Sequence, residues 1–106
     1  MPSLEKLKEH EAFSSWEGTW SSDIVDPCRA ILHTTIDELR NLPSDAIDEV
    51  KKAVITSAVI KFNDLNDAHD EFIETIERED IAEELLQIAE AAGLKPDEEL
   101  LNARNW

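Results

Sequence analysis

Glycine and proline are scarce in this chain, and their positions divide it into segments of helix length. The 106 residues include only six of them: Gly18, Gly93, Pro2, Pro27, Pro43 and Pro96. Proline starts or stops helices and glycine caps their C-terminal ends, so these residues mark the boundaries of elements. Between the boundaries, apolar residues recur at intervals of three and four, which is the period of an α-helix. The sequence therefore predicts an all-α fold.

We expect a single all-α domain covering residues 1–106, built as a small irregular bundle of four to five helices. The predicted helices span residues 3–13, 27–41, 45–65, 75–92 and 96–102. Ser3, Asp26 and Ser44 are the predicted N-caps of the first three helices. Gly93 is predicted to cap the C-terminal end of the fourth. Apolar residues make up 42% of the chain, which is sufficient for one modest core.

The apolar pattern changes phase between the third and fourth predicted helices. Ile81 and Leu85 define the apolar face of the fourth helix, and extending that phase backward places Phe72 among the acids. Either the third helix continues to about Ile76, or a non-helical segment resets the phase. The asparagines and aspartates of this stretch favour turns and caps over helix interiors. We therefore prefer a break between residues 66 and 74.

The charge of the chain restricts the partners that it can bind. Asp and Glu number 25 against 10 Lys and Arg, so the formal net charge is −15. Contacts to phosphate require Lys and Arg, which argues against direct binding of nucleic acid and against an anionic membrane surface. The charge favours a basic partner or a cation. Excess acid also keeps a protein soluble, and solubility alone would account for the composition.

The acids of the fourth predicted helix occupy about half of its circumference, opposite the apolar side. This acidic face consists of Glu77, Glu79, Asp80, Glu83, Glu84 and Glu90. Like charges at i,i+4 are unfavourable by tenths of a kcal/mol, and no lysine compensates them at that spacing. We interpret the acidic face as a candidate docking surface for a basic protein, with a purely solvated face as the alternative.

Arg78 departs from this arrangement, because it falls near the middle of the apolar side in the first turn of the fourth helix. We expect its aliphatic stem to pack on the core while its guanidinium reaches a carboxylate. The tryptophans are the other candidates for recognition. Trp16 and Trp20 flank Gly18, and Trp106 is the last residue. Aromatic side chains on irregular segments can anchor an interface, or they can cover the end of a small helical core.

The sequence has little support for catalysis. It contains no glycine-rich phosphate loop and no nucleophile motif of the Gly-x-Ser-x-Gly type. The single cysteine, Cys28, excludes an internal disulfide and lies on an apolar helix side, where packing is its expected role. We expect no cofactor. A carboxylate metal site remains an alternative, although the residues depart from the EF-hand pattern. Its ligands would come from Asp64, Asp67, His69, Asp70 and Glu74.

These observations favour a small non-enzymatic interaction protein of the cytoplasm. The start of the chain has no secretory signal, no window is apolar enough to span a membrane, and one cysteine suits a reducing compartment. Such a protein would be an inhibitor of the immunity or antitoxin type facing a basic nuclease, or a mimic of nucleic-acid charge. The acidic face would dock the partner, with Trp16, Trp20 or Trp106 as an aromatic anchor. The alternative is a helical homodimer built on the apolar stretch 53–60.

Overall fold

A computed structural model describes residues 4–10, 12–16 and 18–106. The chain forms an irregular bundle of four α-helices, as predicted, and the described residues include no strand. The helices are α1 (Leu4–Glu9), α2 (Ser22–Arg40), α3 (Asp48–Ala68) and α4 (Thr75–Ala91), and two short 3-10 turns cover Ser14–Trp16 and Glu98–Leu101. All four α-helices contribute side chains to one hydrophobic core.

The start of α2 differs from the prediction, because the helix begins at Ser22 and Pro27 lies inside it. Asp26 is therefore not the N-cap. Ser21 takes that position, and its carbonyl accepts hydrogen bonds from the N–H groups of Ile24 and Val25 at 3.0 and 3.1 Å. Proline costs the helix a backbone hydrogen bond. The first turn forms nevertheless because Val25 is 3% exposed, so the turn is stabilised by packing.

Three other predicted helices also differ from the structure. The helix α1 ends at Glu9 and not at residue 13, and the proposed cap Ser3 lies outside the described residues. The helix α3 begins at Asp48 with Ile47 as its N-cap, so Ser44 does not cap it, and it continues three residues beyond 65. The predicted fifth helix, 96–102, is only the 3-10 turn.

The end of α4 agrees with the prediction to within one residue. Gly93 has a φ of +94°, and its N–H donates to the carbonyl of Glu90 at 3.0 Å. The N–H of Leu94 donates to the carbonyl of Ala89 at 2.9 Å, and the Leu94 side chain folds back into the core. These two bonds are a Schellman motif, in which a glycine takes the left-handed conformation at no steric cost.

The predicted break between α3 and α4 is confirmed, with residues 69–74 outside the helices. Asp70 and Glu71 both have positive φ values, of 58° and 56°, which turn the chain sharply. The segment then delivers Phe72 and Ile73 to the core at 4% and 6% exposure. Phe72 and Ile73 therefore belong to a buried non-helical segment, which explains why the periodicity of α4 does not account for them.

Pairs of charged side chains on the surface fasten the short α1 to the rest of the bundle. Lys8 Nζ lies 2.6 Å from Asp37 Oδ1 on α2. This hydrogen bond holds the pKa of the Asp37 carboxyl below its usual range, opposed by partial desolvation and helped by the nearby charges of Lys8 and Arg40. A half-exposed pair of this kind contributes little to stability, so its main effect is to orient α1.

The single thiol of the chain is part of the core. Cys28 is 0% exposed, and its burial raises the pKa of the thiol to about 12 from an ordinary value of 9.0. Desolvation disfavours the thiolate, so Cys28 stays neutral at physiological pH and is not a nucleophile. The packing role expected from the sequence agrees with this position.

Alkaline pH should destabilise the protein through Cys28. The native thiol keeps its proton up to about pH 12, whereas the unfolded thiol releases it near pH 9. Raising the pH above about 9 therefore favours the unfolded state, by about 1.4 kcal/mol for each pH unit. Urea unfolding at pH 8 and pH 10 measures the loss for the wild type and for Cys28→Ala. If both proteins lose stability equally, the thiol is not responsible.

Candidate functional site

The acidic face divides into two halves, and one half is used inside the protein. Trp16 Nε1 donates a hydrogen bond to Asp80 Oδ2 over 2.8 Å. His10 Nε2 lies 3.0 Å from Glu84 Oε1, and the Glu84 side chain is only 15% exposed. These contacts connect the N-terminal segment to α4.

Glu77 belongs to the same half. Its carboxylate accepts from the N–H of Glu74 at 3.1 Å, and the Glu74 side chain accepts in return from the N–H of Glu77. The pair is a capping box, which satisfies two backbone donors at the start of α4. Asp80, Glu84 and Glu77 are therefore structural acids.

The other half of the acidic face remains available to solvent. Glu79 and Glu83 are exposed and Glu90 is half-buried. Glu83 accepts a hydrogen bond from Gln87 at 3.3 Å, and no lysine or arginine in the described part of the chain lies within 4 Å of the three carboxylates. We call these three residues the free acids.

A groove runs beside the free acids, between α4 and the C-terminal segment, with a volume of about 530 Å³. Ala82 and Leu86 provide its apolar floor, and Pro96 and Glu98 line the opposite wall. Arg78 and Arg104 also border the groove. An apolar strip between carboxylates suits a ligand that combines positive charge with an apolar group.

The position of Arg78 differs from the expectation. Its side chain is exposed, and no carboxylate among the residues that the structure describes lies within ion-pair distance of it. Phe72 and Ile73 from the preceding segment occupy the core near this end of α4. The periodicity of α4 predicts that Arg78 points inward. The interior at this end of the helix is instead filled by Phe72 and Ile73, which precede α4 and do not follow its periodicity.

The tryptophans of the N-terminal segment close one end of the core. Trp16 is 3% exposed and stacks on Phe13, with ring centroids 4.4 Å apart. Trp20 is half-buried and meets Phe72 edge-on at 5.7 Å. Trp16 thus covers the core and presents no surface to a partner, so we leave it out of the candidate docking surface. Trp20 retains only a partial exposure.

A second cleft opens where α3 ends and α4 begins, with a volume of about 680 Å³. It is lined by Asn66, Asp67, Glu71, Arg78 and Trp106, among others. Sequence reasoning did not find this cleft, because its residues come from three separate segments. The one available signal was Asn66, a polar residue four positions after the core residue Phe62 on the buried side of α3.

The alternative of a carboxylate metal site is not supported by the geometry. Across residues 4–10, 12–16 and 18–106, no three His, Cys, Asp or Glu side chains are placed so that they could hold a metal ion. His69 packs its ring edge-on against Phe72 at 6.3 Å and is not gathered with the neighbouring acids.

Fold and surface together define a small all-α protein with an acidic groove on its last long helix. The chain belongs to a family of unknown function (DUF5713), whose model matches residues 8–106. No curated protein and no solved structure matches it. None of the helices in the described ranges has both the length and the apolar character that crossing a membrane requires.

The two halves of the acidic face should respond differently to mutation. Asp80→Ala leaves the buried indole N–H of Trp16 without an acceptor, and we expect it to lower the free energy of unfolding by about 1–3 kcal/mol. Glu79→Ala, on the same helix, should stay within about 0.5 kcal/mol of the wild type. Urea unfolding monitored by tryptophan fluorescence measures both. Equal effects would contradict the division of the face.

Proposed function

We propose that the protein is a non-enzymatic interaction protein that docks a basic partner on the groove beside the free acids. One observation carries the proposal: Glu79, Glu83 and Glu90 border an apolar floor and have no cationic partner among the described residues. Unpaired like charges along one helix are unfavourable in the free protein, and a cationic partner relieves that repulsion. The same negative charge disfavours nucleic acid and anionic membranes as partners.

The mechanism has two steps. The net charge of −15 attracts a basic protein over a distance of about one Debye length, which raises the rate of encounter. Contact then covers the floor formed by Ala82 and Leu86, so an apolar group of the partner leaves water. The partner class that this suits best is a basic enzyme of nucleic-acid metabolism such as a nuclease, which the protein would inhibit in the cytoplasm as an immunity or antitoxin protein does.

The test compares two triple variants with the same change in net charge. Glu79→Gln, Glu83→Gln and Glu90→Gln remove the free acids, whereas Asp26→Asn, Asp45→Asn and Glu49→Gln remove exposed acids elsewhere. The partner is captured from a lysate of the source organism, identified, purified and titrated against each protein at 50 and 300 mM salt. We expect the Kd to rise about tenfold in the first variant and less than about threefold in the control.

Salt should weaken the complex of the wild type by about tenfold over the same range, because the attraction is electrostatic. Two results would speak against the proposal. One is an affinity that does not change with salt. The other is an equal loss in both variants, since that would reflect net charge alone and not the groove.

A homodimer is a second candidate, favoured by the outer side of α3. Val50 and Ile60 on α3 are 42% and 47% exposed, and Ile47 at its N-cap is 61% exposed, so a partner helix could cover them. Only part of the apolar stretch 53–60 can contribute to a dimer surface, because Ile55 and Val59 lie in the core whereas Ile60 is exposed.

Sedimentation equilibrium tests the second candidate. A dimer through α3 would have twice the 12.0 kDa mass of the chain, and Val50→Asp combined with Ile60→Asp would return it to a monomer. Both positions are exposed, so the variant should remain folded. A wild type that stays monomeric at millimolar concentration would exclude this assembly.

A further inference from the structure

The cleft at the junction of α3 and α4 contains polar groups that the protein itself leaves unused. Its walls come from the end of α3, from the segment that turns into α4, and from the C-terminal residues. Four of its side chains have groups with no partner among the described residues. They are the amide nitrogen of Asn66, the guanidinium of Arg78, and the carboxylates of Asp67 and Glu71.

Asn66 is the buried member of this set, at 5% exposure. Its Oδ1 accepts a hydrogen bond from the N–H of Ile73 at 2.9 Å, which fixes the orientation of the amide. The two N–H donors of Nδ2 consequently face away from this bond, and no acceptor among the described residues meets them. The amide nitrogen is not among the fully buried unpaired atoms of the described residues, so an acceptor of a ligand in the cleft that Asn66 lines can reach it.

Arg78 and Trp106 line the same cleft. The guanidinium of Arg78 is an exposed donor at the start of α4. Trp106 contributes its ring to the wall, because its indole Nε1 has no partner in the described part of the chain but is fully buried. Two donors and an aromatic ring, from three segments, therefore border one space. A carboxylate or an amide carbonyl is the acceptor that can take hydrogen bonds from several N–H groups at once.

An anion alone does not suit the cleft, because Asp67 and Glu71 present unpaired carboxylates there. Glu74 also lines the cleft, but its carboxylate already accepts from the N–H of Glu77 in the capping box. The ligand needs an acceptor group at one end and a cation at the other. A basic amino acid has both, separated by a flexible aliphatic stem.

We propose that the cleft at the α3–α4 junction binds a lysine or arginine unit. Its carboxylate or carbonyl accepts from Asn66 and Arg78 beside the ring of Trp106, and its side-chain cation lies against Asp67 and Glu71. The unit is either a free amino acid or a residue of a protein chain. In the second case the inference rests on the proposed function, since the residue would belong to the basic partner.

Titrations followed by NMR test the proposal with three small probes. The probes are free lysine, lysine capped at both ends as N-acetyl-lysine methylamide, and cadaverine, which retains the amine but has no carboxylate or carbonyl. We expect lysine or its capped form to shift the side-chain amide signal of Asn66 and the indole signal of Trp106. Cadaverine should bind at least about fivefold more weakly, although its charge is more positive. Tighter binding of free lysine identifies an amino-acid site, and equal or tighter binding of capped lysine identifies a peptide site.

Variants separate the two ends of the ligand. Arg78→Gln, and Asp67→Asn combined with Glu71→Gln, change exposed side chains and should each weaken lysine binding about tenfold. The matched control, Asp45→Asn combined with Glu49→Gln, has the same change in charge outside the cleft and should have less than about a threefold effect. Asn66→Asp keeps the acceptor for Ile73 and removes the Nδ2 donors, so it should weaken lysine binding without weakening cadaverine binding.

Three results would overturn the proposal: no shift of Asn66 and Trp106 with either lysine probe, equal affinity for cadaverine, or equal losses in the cleft and control variants. The groove variant that lacks Glu79, Glu83 and Glu90 should bind free lysine as the wild type does. A failure of the groove to bind a basic protein is thereby distinguishable from a failure of the cleft to bind lysine.

Discussion

The hydrogen bonds that Asn66 makes to the following segment determine where α3 ends and in which direction α4 begins. Its main-chain carbonyl accepts from the N–H of Glu71 at 2.8 Å and its side chain accepts from the N–H of Ile73 at 2.9 Å. Two consecutive residues with positive φ make this compact turn possible. As a result, Phe72 reaches the core, where it also receives Trp16 and Trp20 edge-on. Without this turn, α3 would continue and the N-terminal tryptophans would lose their contact.

The excess of negative charge contributes to the fold as well as to the surface. Asp80 and Glu84 hold the N-terminal segment on α4, and Glu77 closes the capping box. Acids that look equivalent on a helical wheel thus have different environments, because α4 is covered on one flank by the N-terminal segment and open on the other. The open flank is where an electronegative groove with an apolar floor can attract a basic molecule.

Much of the helical architecture could be predicted from the sequence, whereas most of the site could not. The end of α4 could be predicted because Gly93 takes a conformation that other residues rarely adopt. The break after α3 could be predicted from the change in the phase of the apolar pattern. The start of α2 could not be predicted, since the burial of Val25 outweighs the hydrogen bond that Pro27 removes from the helix. The exposure of the Arg78 side chain could not be predicted either, because it depends on which other residues fill that end of the core.

The sequence by itself determined the all-α class, the net charge and the one-sided distribution of acids on α4, because helical periodicity and composition are local properties. Only the tertiary structure decided which acids are bound internally and which are free, because that depends on where the N-terminal segment packs. It also decided that Asn66, Arg78 and Trp106 line one cleft. Their separation along the chain is large, and proximity between distant residues follows from packing and not from spacing.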